Sequence, residues 1–371
     1  PPFHPSPLPT FHQRNYAHDY FQTYARRPLN DIHIRMTGRA GRITLQRPDA
    51  LNAMTYEMCT AMEAALIDWQ TNDAVDLVII DALGTRAFCA GGDIADLYQS
   101  GLDKNYAFGQ KFWADEYRLN SLIAGYPKPF IALMQGFTMG GGVGISCHGS
   151  HRIVGETSQI AMPECGIGLV PDVGGSYILS RAPGYLGEYL GLTADRMGPR
   201  DAILVGFADH FIPQDHWARM TAELEKTGDP NVLNTYIDEA PAGTLADALP
   251  MINTAFKSGD LSTIASDLSH DDSAFAEKTL KAMRRNSPLS MACALKIIGH
   301  LRNSSGDLKS ALRYEYRFTA RAMEFGDFLE GIRAAIIDKD RTPNWQHNMN
   351  SVPSTDIEHM LGPLGALELH L

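Results

Sequence analysis

The stretch MQGFTMGGGVGISCHGSHRIVGETSQIAMPECGIGLVPDVGGSYILS, residues 134–180, decides how this chain is read. The apolar run 129–134 predicts a buried strand, and Gly140, Gly141 and Gly142 follow it at the entry to a short helix. Glycines at such a junction let a ligand approach the main chain, and the first turn of the helix leaves N–H groups free to meet it. Two acids come next, Glu164 in Met-Pro-Glu and Asp172 in Pro-Asp-Val-Gly-Gly. Unpaired amides beside carboxylates suit a reaction in which a carbonyl oxygen turns negative while an acid handles water or a proton.

Upstream, Ala87 to Ile94 (AFCAGGDI) is a second glycine-rich strand-to-helix turn, reached through the apolar run 75–83. Ile43 to Arg47 reads as a short strand closed by Pro48. Thr55 is placed to cap a helix whose Met58, Ala61, Met62, Ala65, Leu66 and Trp69 share one face. A further helix is expected over 106–124 and a strand over 152–155. Strands alternating with helices predict an α/β domain with parallel pairing. From about Trp217 the pattern becomes helix after helix, with Ser287-Pro288 as a start signal and amphipathic segments over 307–324 and 328–340. The expected divisions are a poorly ordered, proline-rich 1–31, an α/β core over 32–216 and a helical region over 217–371.

The chain has 371 residues, 44% hydrophobic and 20% charged, which is the balance of a globular protein with room for a large core. A net charge of −11 argues against a nucleic-acid footprint, and no apolar run reaches the roughly 18 residues of a membrane span. An anionic ligand would need local cations or main-chain donors against that overall field. The five cysteines are scattered without a Cys-x-x-Cys pair, as expected of free thiols in a reducing compartment. Cys89 and Cys165 lie inside the glycine motifs, but no His or Asn spacing supports a thiol nucleophile. A dinucleotide fingerprint fails at Cys147, where its third glycine belongs, and there is no phosphate loop, no nucleophile elbow and no metal-spaced His/Cys set. An acidic chain without an Arg/Ser-rich leader points to bacterial cytoplasm over mitochondrial matrix.

FCAGGDI (88–94), GFTMGGGVGIS (136–146) and MPECGIGLVPDVGGSY (162–177) resemble the crotonase, or enoyl-CoA hydratase/isomerase, superfamily, and within it the 3-hydroxyisobutyryl-CoA hydrolase branch. QRPDALNAMT (46–55), DEYRLN (115–120) and EGIRAAIIDKDRTPNW (330–345) extend the resemblance over roughly 32–345. It implies a spiral of ββα units with a helical C-terminal region. It further implies an acyl-CoA substrate whose thioester oxygen is held by two backbone N–H groups, carried over onto Ala90 and Gly141. Family hydratases use two glutamates; one falls here on Gly144, which has no side chain, and the other on Glu164. Asp172 stands where the hydratase pattern has a small residue.

The activity implied is hydrolysis of a short branched 3-hydroxyacyl-CoA, foremost 3-hydroxyisobutyryl-CoA of valine breakdown. Glu164 would attack the carbonyl or activate a water, and Asp172 would orient the acyl hydroxyl, Glu164 or the water. Glu116 aligns with a branch glutamate near the acyl pocket. The CoA moiety is expected along the 47–52 turn and the 90–94 loop, with Ala50, Asn52, Gly92 and Asp93 as contacts; Lys339 reads as a solvated lysine. No metal is implied and no cofactor, since CoA is part of the substrate, and family members often form trimers or hexamers. Two other readings stay open: a hydratase or isomerase working through Glu164 alone, and a non-catalytic assembly subunit.

Overall fold

The computed structural model describes residues 31–304 and 306–371. The segment where the sequence predicts little order lies, up to Asn30, outside the described residues. The strands are β1 (Ile32–Thr37), β2 (Ala40–Leu45), β3 (Leu77–Ala82), β4 (Ala87–Cys89), β5 (Phe130–Met134), β6 (Phe137–Met139), β7 (His151–Val154), β8 (Gln159–Ala161) and β9 (His210–Phe211). The helices are α1 (Tyr56–Gln70), α2 (Ala95–Leu102), α3 (Tyr106–Ala124), α4 (Gly141–Gly144), α5 (Gly175–Arg181), α6 (Leu186–Thr193), α7 (Pro199–Val205), α8 (Trp217–Thr227), α9 (Leu245–Phe256), α10 (Leu261–Ser269), α11 (Ala274–Met283), α12 (Pro288–Ser304), α13 (Leu308–Phe325), α14 (Phe328–Ile332) and α15 (Ser354–Leu361).

The local rules read from the sequence operate as expected. Thr55 accepts from the Met58 amide to cap α1, and the face carrying Met58, Met62, Leu66 and Trp69 is buried. Asp307 caps α13 through the Ser310 amide at 2.8 Å. β1 is absent from the expectations drawn from the sequence, although IHIRMT alternates apolar and polar residues throughout; it pairs antiparallel with β2. The segment 328–340 is not one helix, because α14 gives way to a π-turn at Arg333–Ile337.

Two sheets organise the first half. The larger runs β1-β2-β3-β5-β7-β9, parallel from β2 onward, and the smaller is β4-β6-β8, all parallel. Successive pairs β3/β4, β5/β6 and β7/β8 each give one strand to the large sheet and the next to the small one. The chain therefore climbs as repeated ββα turns, the crotonase-like spiral of an α/β fold. One hydrophobic core reaches from Ile43, Ile80 and Phe88 in the strands to Leu312, Phe318 and Phe328 in the last helices. Residues 31–371 thus form one compact unit, in which the helices beyond Trp217 close over the spiral.

Candidate active site

The small sheet explains why distant glycine motifs meet. Parallel neighbours β4, β6 and β8 end side by side, with Cys89 opposite Thr138 and Met139 opposite Ala161. Strands in such a sheet lie about 4.8 Å apart. The residues just beyond their C-terminal ends, Ala90–Asp93, Gly140–Gly142 and Pro163–Glu164, are therefore forced into one neighbourhood. They line a cavity of about 400 Å³. Ala90, Gly92, Asp93, Ala50, Gly141, Glu116, Glu164 and Asp172 all border it. Its apolar wall includes Leu97, Phe112, Trp113, Leu169, Phe328 and Ile336.

The backbone donors need one correction. The Ala90 N–H is not available to a ligand, because it donates to the Leu51 carbonyl at 3.0 Å. Gly92 borders the same cavity and differs from Ala90 in its pairing. It forms a parallel bridge with Met54, in which Met54 N–H donates to Gly91 O and Asp93 N–H donates to Met54 O. That pattern turns the amide of Gly92 itself to the opposite side, where it has no acceptor among the described residues. Its nitrogen lies 3.4 Å from where a Cβ on Gly141 would stand, so the amides of Gly92 and Gly141 are close neighbours at this cavity. Helix α4 is a single turn, and individual N–H groups, not a macrodipole, are what it offers.

Four acids line this cavity, Asp93, Glu116, Glu164 and Asp172, and among the described residues no cation does. Glu116, Glu164 and Asp172 are all buried, and Oε2 of Glu164 has no hydrogen-bond partner among the described residues. The main chain bends to admit Glu164: Gly140 sits at φ 50°, and a Cβ there would meet Glu164 Oε1 at 2.8 Å. Burial, then the charge of Asp172, drives the carboxyls of Glu116 and Glu164 well above the usual range. Burial also lifts Asp172 to about 6, against the Tyr117 hydroxyl that donates to its Oδ2 at 2.7 Å. The Gly144 position is closed: a Cβ there would stand 2.6 Å from Asn120 Nδ2 and 2.8 Å from Val173 Cβ.

Asp172 turns its side chain to Tyr117 and does not cap α5. The cap comes from Glu315 on α13, which accepts from the Gly174 amide at 2.8 Å, the Ser176 amide at 3.2 Å and the Ser176 hydroxyl. His148, held neutral by burial with its pKa near 4, donates Nε2–H to the Val173 carbonyl at 2.7 Å. Val173 needs this support, because its φ of 50° is costly for a β-branched residue. Tyr117, His148 and Glu315 thus hold the turn that aims Asp172. Glu315 was invisible in the sequence, since an acid on an amphipathic helix reads as solvated and its partners lie about 140 positions away.

Glu315 makes a testable case. Burial raises its pKa to about 8, so the folded chain holds this proton more tightly than the unfolded chain. The stability it contributes is complete below about pH 4.3 and is lost as pH rises through the folded value. Glu315→Gln, which keeps the shape and an acceptor oxygen, should flatten that decline in thermal melts between pH 6 and 9. Glu315→Ala should cost about 1–3 kcal/mol by orphaning two amides and a hydroxyl. It should also lower kcat more than it raises KM, with the Gln variant recovering most of the loss. Equal kcat in all three proteins would deny Glu315 a positioning role.

The remaining expected contacts divide. Asp93 is held by Arg47 at 2.9 Å, which ties the 90–94 loop to the 47–52 turn. Asn52 is not a ligand group: its side chain accepts from the Arg47 amide at 2.8 Å and donates to Leu83 O and Ala87 O at 2.9 Å each. It shapes the turn that Ala50 presents. Cys89 and Cys165 are buried, with burial pushing Cys89 up to about 12 and Cys165 well above its usual value, so neither is a ready thiolate. Lys339 is exposed. Among the described residues no His/Cys/Asp/Glu group could hold a metal ion, and no helix is long and apolar enough to cross a membrane.

Residues 40–361 match the family described as enoyl-CoA hydratase/isomerase. The chain is 38% identical over 328 residues to a mitochondrial 3-hydroxyisobutyryl-CoA hydrolase of Danio rerio, covering 85% of each. The Homo sapiens protein of that name is 36% identical over 351 residues, covering 91% of this chain and 90% of the relative. Among solved structures, an enoyl-CoA hydratase from Rhodobacter sphaeroides 2.4.1 is 52% identical with a TM-score of 0.88, covering 92% of this chain and all of its own. A carnitinyl-CoA dehydratase from Mycobacterium thermoresistibile is 36% identical, TM-score 0.87, with 92% and 98% covered.

Proposed function

The chain belongs to the enoyl-CoA hydratase/isomerase family, and on that premise we propose that it hydrolyses a short 3-hydroxyacyl-CoA thioester. The preferred substrate of this reading is 3-hydroxyisobutyryl-CoA, giving 3-hydroxyisobutyrate and CoA as in valine breakdown. Gly92 N–H and Gly141 N–H receive the thioester oxygen as it becomes negative; a single such donor contributes about 10²- to 10³-fold in rate. Glu164 either removes a proton from the attacking water or itself attacks the carbonyl carbon, expelling CoA as thiolate and leaving an anhydride that water then cleaves. Asp172 and Glu116 orient the acyl hydroxyl and the water. CoA enters as part of the substrate, so the reaction needs no further cofactor.

The observation that carries this reading is the pairing of an unpartnered Glu164 with a filled Gly144 position. Two of the similar solved proteins bear the names of a hydratase and a dehydratase, which keeps double-bond chemistry as the second reading. Addition of water across a double bond in this family's manner asks for two acids, and here one of them is replaced by the packed contact of Gly144 with Asn120 and Val173. The acid supplied instead, Asp172, comes from a different segment.

Thiol release measured over a panel of short acyl-CoAs, with and without a 3-hydroxyl, tests the proposal. The expected order places 3-hydroxyisobutyryl-CoA first, followed by other 3-hydroxyacyl thioesters. Hydration of crotonyl-CoA outrunning every hydrolysis in the panel would overturn it.

A further inference from the structure

A second cavity of about 610 Å³, larger than the one described above, opens between the small sheet and the C-terminal helices. It is bordered by Arg196, Lys278, Lys281, Arg285 and Arg341, with Asp195 as its one carboxylate. Lys278 is paired with Asp195 at 2.9 Å, and the same acid oxygen accepts from Tyr189. The other four cations have no carboxylate partner among the described residues. They come from three separate segments: Arg196 beyond α6, Lys281 and Arg285 at the end of α11, and Arg341 in the stretch after the π-turn. A chain of net charge −11 has no general excess of positive charge to place there. Gathering four unpaired cations around one cleft costs mutual repulsion, and such a cleft focuses a positive field on whatever enters it.

We propose that this cavity binds a phosphate ester of nucleotide size, at a site separate from the thioester-cleaving one. Three of the unpaired cations are guanidinium groups, whose planar forks match phosphate oxygens bidentately, and the volume lies within the range of small-ligand sites. Ala161, Ala282 and Pro343 add an apolar wall against which a base or ribose can lie. The two cavities share Pro163, the residue before Glu164. Next to Arg285, the Asn286 side chain donates to Leu192 O at 2.7 Å and the Ser287 amide donates to Cys165 O at 2.8 Å. An anion held by Arg285 therefore sits two residues from an anchor of the Glu164 turn.

The probe is ADP, with adenosine as the uncharged control, titrated calorimetrically into the full chain. ADP should bind with one site per chain and adenosine should not. The charge reversals Arg285→Glu and Arg341→Glu together should weaken ADP by about tenfold or more, since each removes a charge-assisted contact. These residues are exposed, so the melting temperature should hold, and the KM for acyl-CoA should stay within about twofold. Lys281→Ala alone should give a smaller loss of the same sign. Absence of ADP binding, binding unaffected by the reversals, or an acyl-CoA KM that rises in step with the ADP constant would each overturn the proposal. The last result would mean that these cations serve the nucleotide end of the substrate.

Discussion

Replacing Glu164 with Gln is expected to lower kcat for thioester hydrolysis by about 10²- to 10⁴-fold while leaving the fold and the KM for acyl-CoA nearly unchanged. The side chain lines the same cavity as Gly92 and Gly141, and its Oε2 has no hydrogen-bond partner among the described residues, so it is poised for the substrate and not for the scaffold. Gln preserves its volume and removes its basicity. The parent rate should carry an acid limb set by buried carboxylates. A base must be ionised, and both burial and Asp172 raise Glu164, so activity falls as pH drops through values well above the ordinary glutamate range. Asp172, near 6, contributes to the same limb. A stability readout separates chemistry from damage. Because the folded chain favours protonated Glu164, its ionised form costs stability as pH rises, and Gln relieves that cost. The variant should melt at or above the parent temperature at pH 8 and close to it at pH 5. Turnover within about fivefold of the parent would remove Glu164 from the mechanism.

How far the site could be read in advance depended on the range of the interactions. The glycine turns, the Met-Pro-Glu acid and the Thr55 cap are local patterns, and each lies where its spacing implied, the turns and the acid at one cavity and Thr55 at the start of α1. Ala90 failed for a subtler reason. In a regular strand Ala90 and Gly92 would present their amides to the same side, but Gly91 at φ 118° breaks that regularity, so the donor can be assigned only from the partners each amide finds. Those partners lie about forty residues upstream: Leu51 takes the Ala90 amide, and the bridge to Met54 leaves that of Gly92 without an acceptor among the described residues. Asn52 misled in the same way: an amide at a turn resembles a ligand group until its three main-chain partners are seen. The clamp on Asp172 lay beyond any spacing rule, since Tyr117, His148 and Glu315 approach one turn from three elements. The juxtaposition itself followed from topology, because three parallel strands of one small sheet had to finish side by side.

Introducing the missing hydratase acid should fail, and the way it fails tests the packing argument. Gly144→Glu is expected to gain no hydration of crotonyl-CoA and to lose about 1–3 kcal/mol or more of stability, with Gly144→Ala already showing much of the loss. The first added carbon would stand 2.6 Å from Asn120 Nδ2 and 2.8 Å from Val173 Cβ, contacts that real side chains do not tolerate. Val173 cannot yield freely, because its left-handed backbone is fixed by His148 and by the Glu315 cap on the following residues. Asn120 can. It is fully buried and neither polar atom of its amide has a partner among the described residues, so Asn120→Ala should itself cost little. In that background the penalty of Gly144→Ala should shrink by about 1 kcal/mol, a coupling that denaturant melts of the four proteins would measure. Additive penalties would mean that Asn120 does not wall off the position. Appreciable loss of enoyl absorbance with Gly144→Glu would mean that the cleft accepts the second acid after all, and the distinction drawn between hydrolase and hydratase would fall with it.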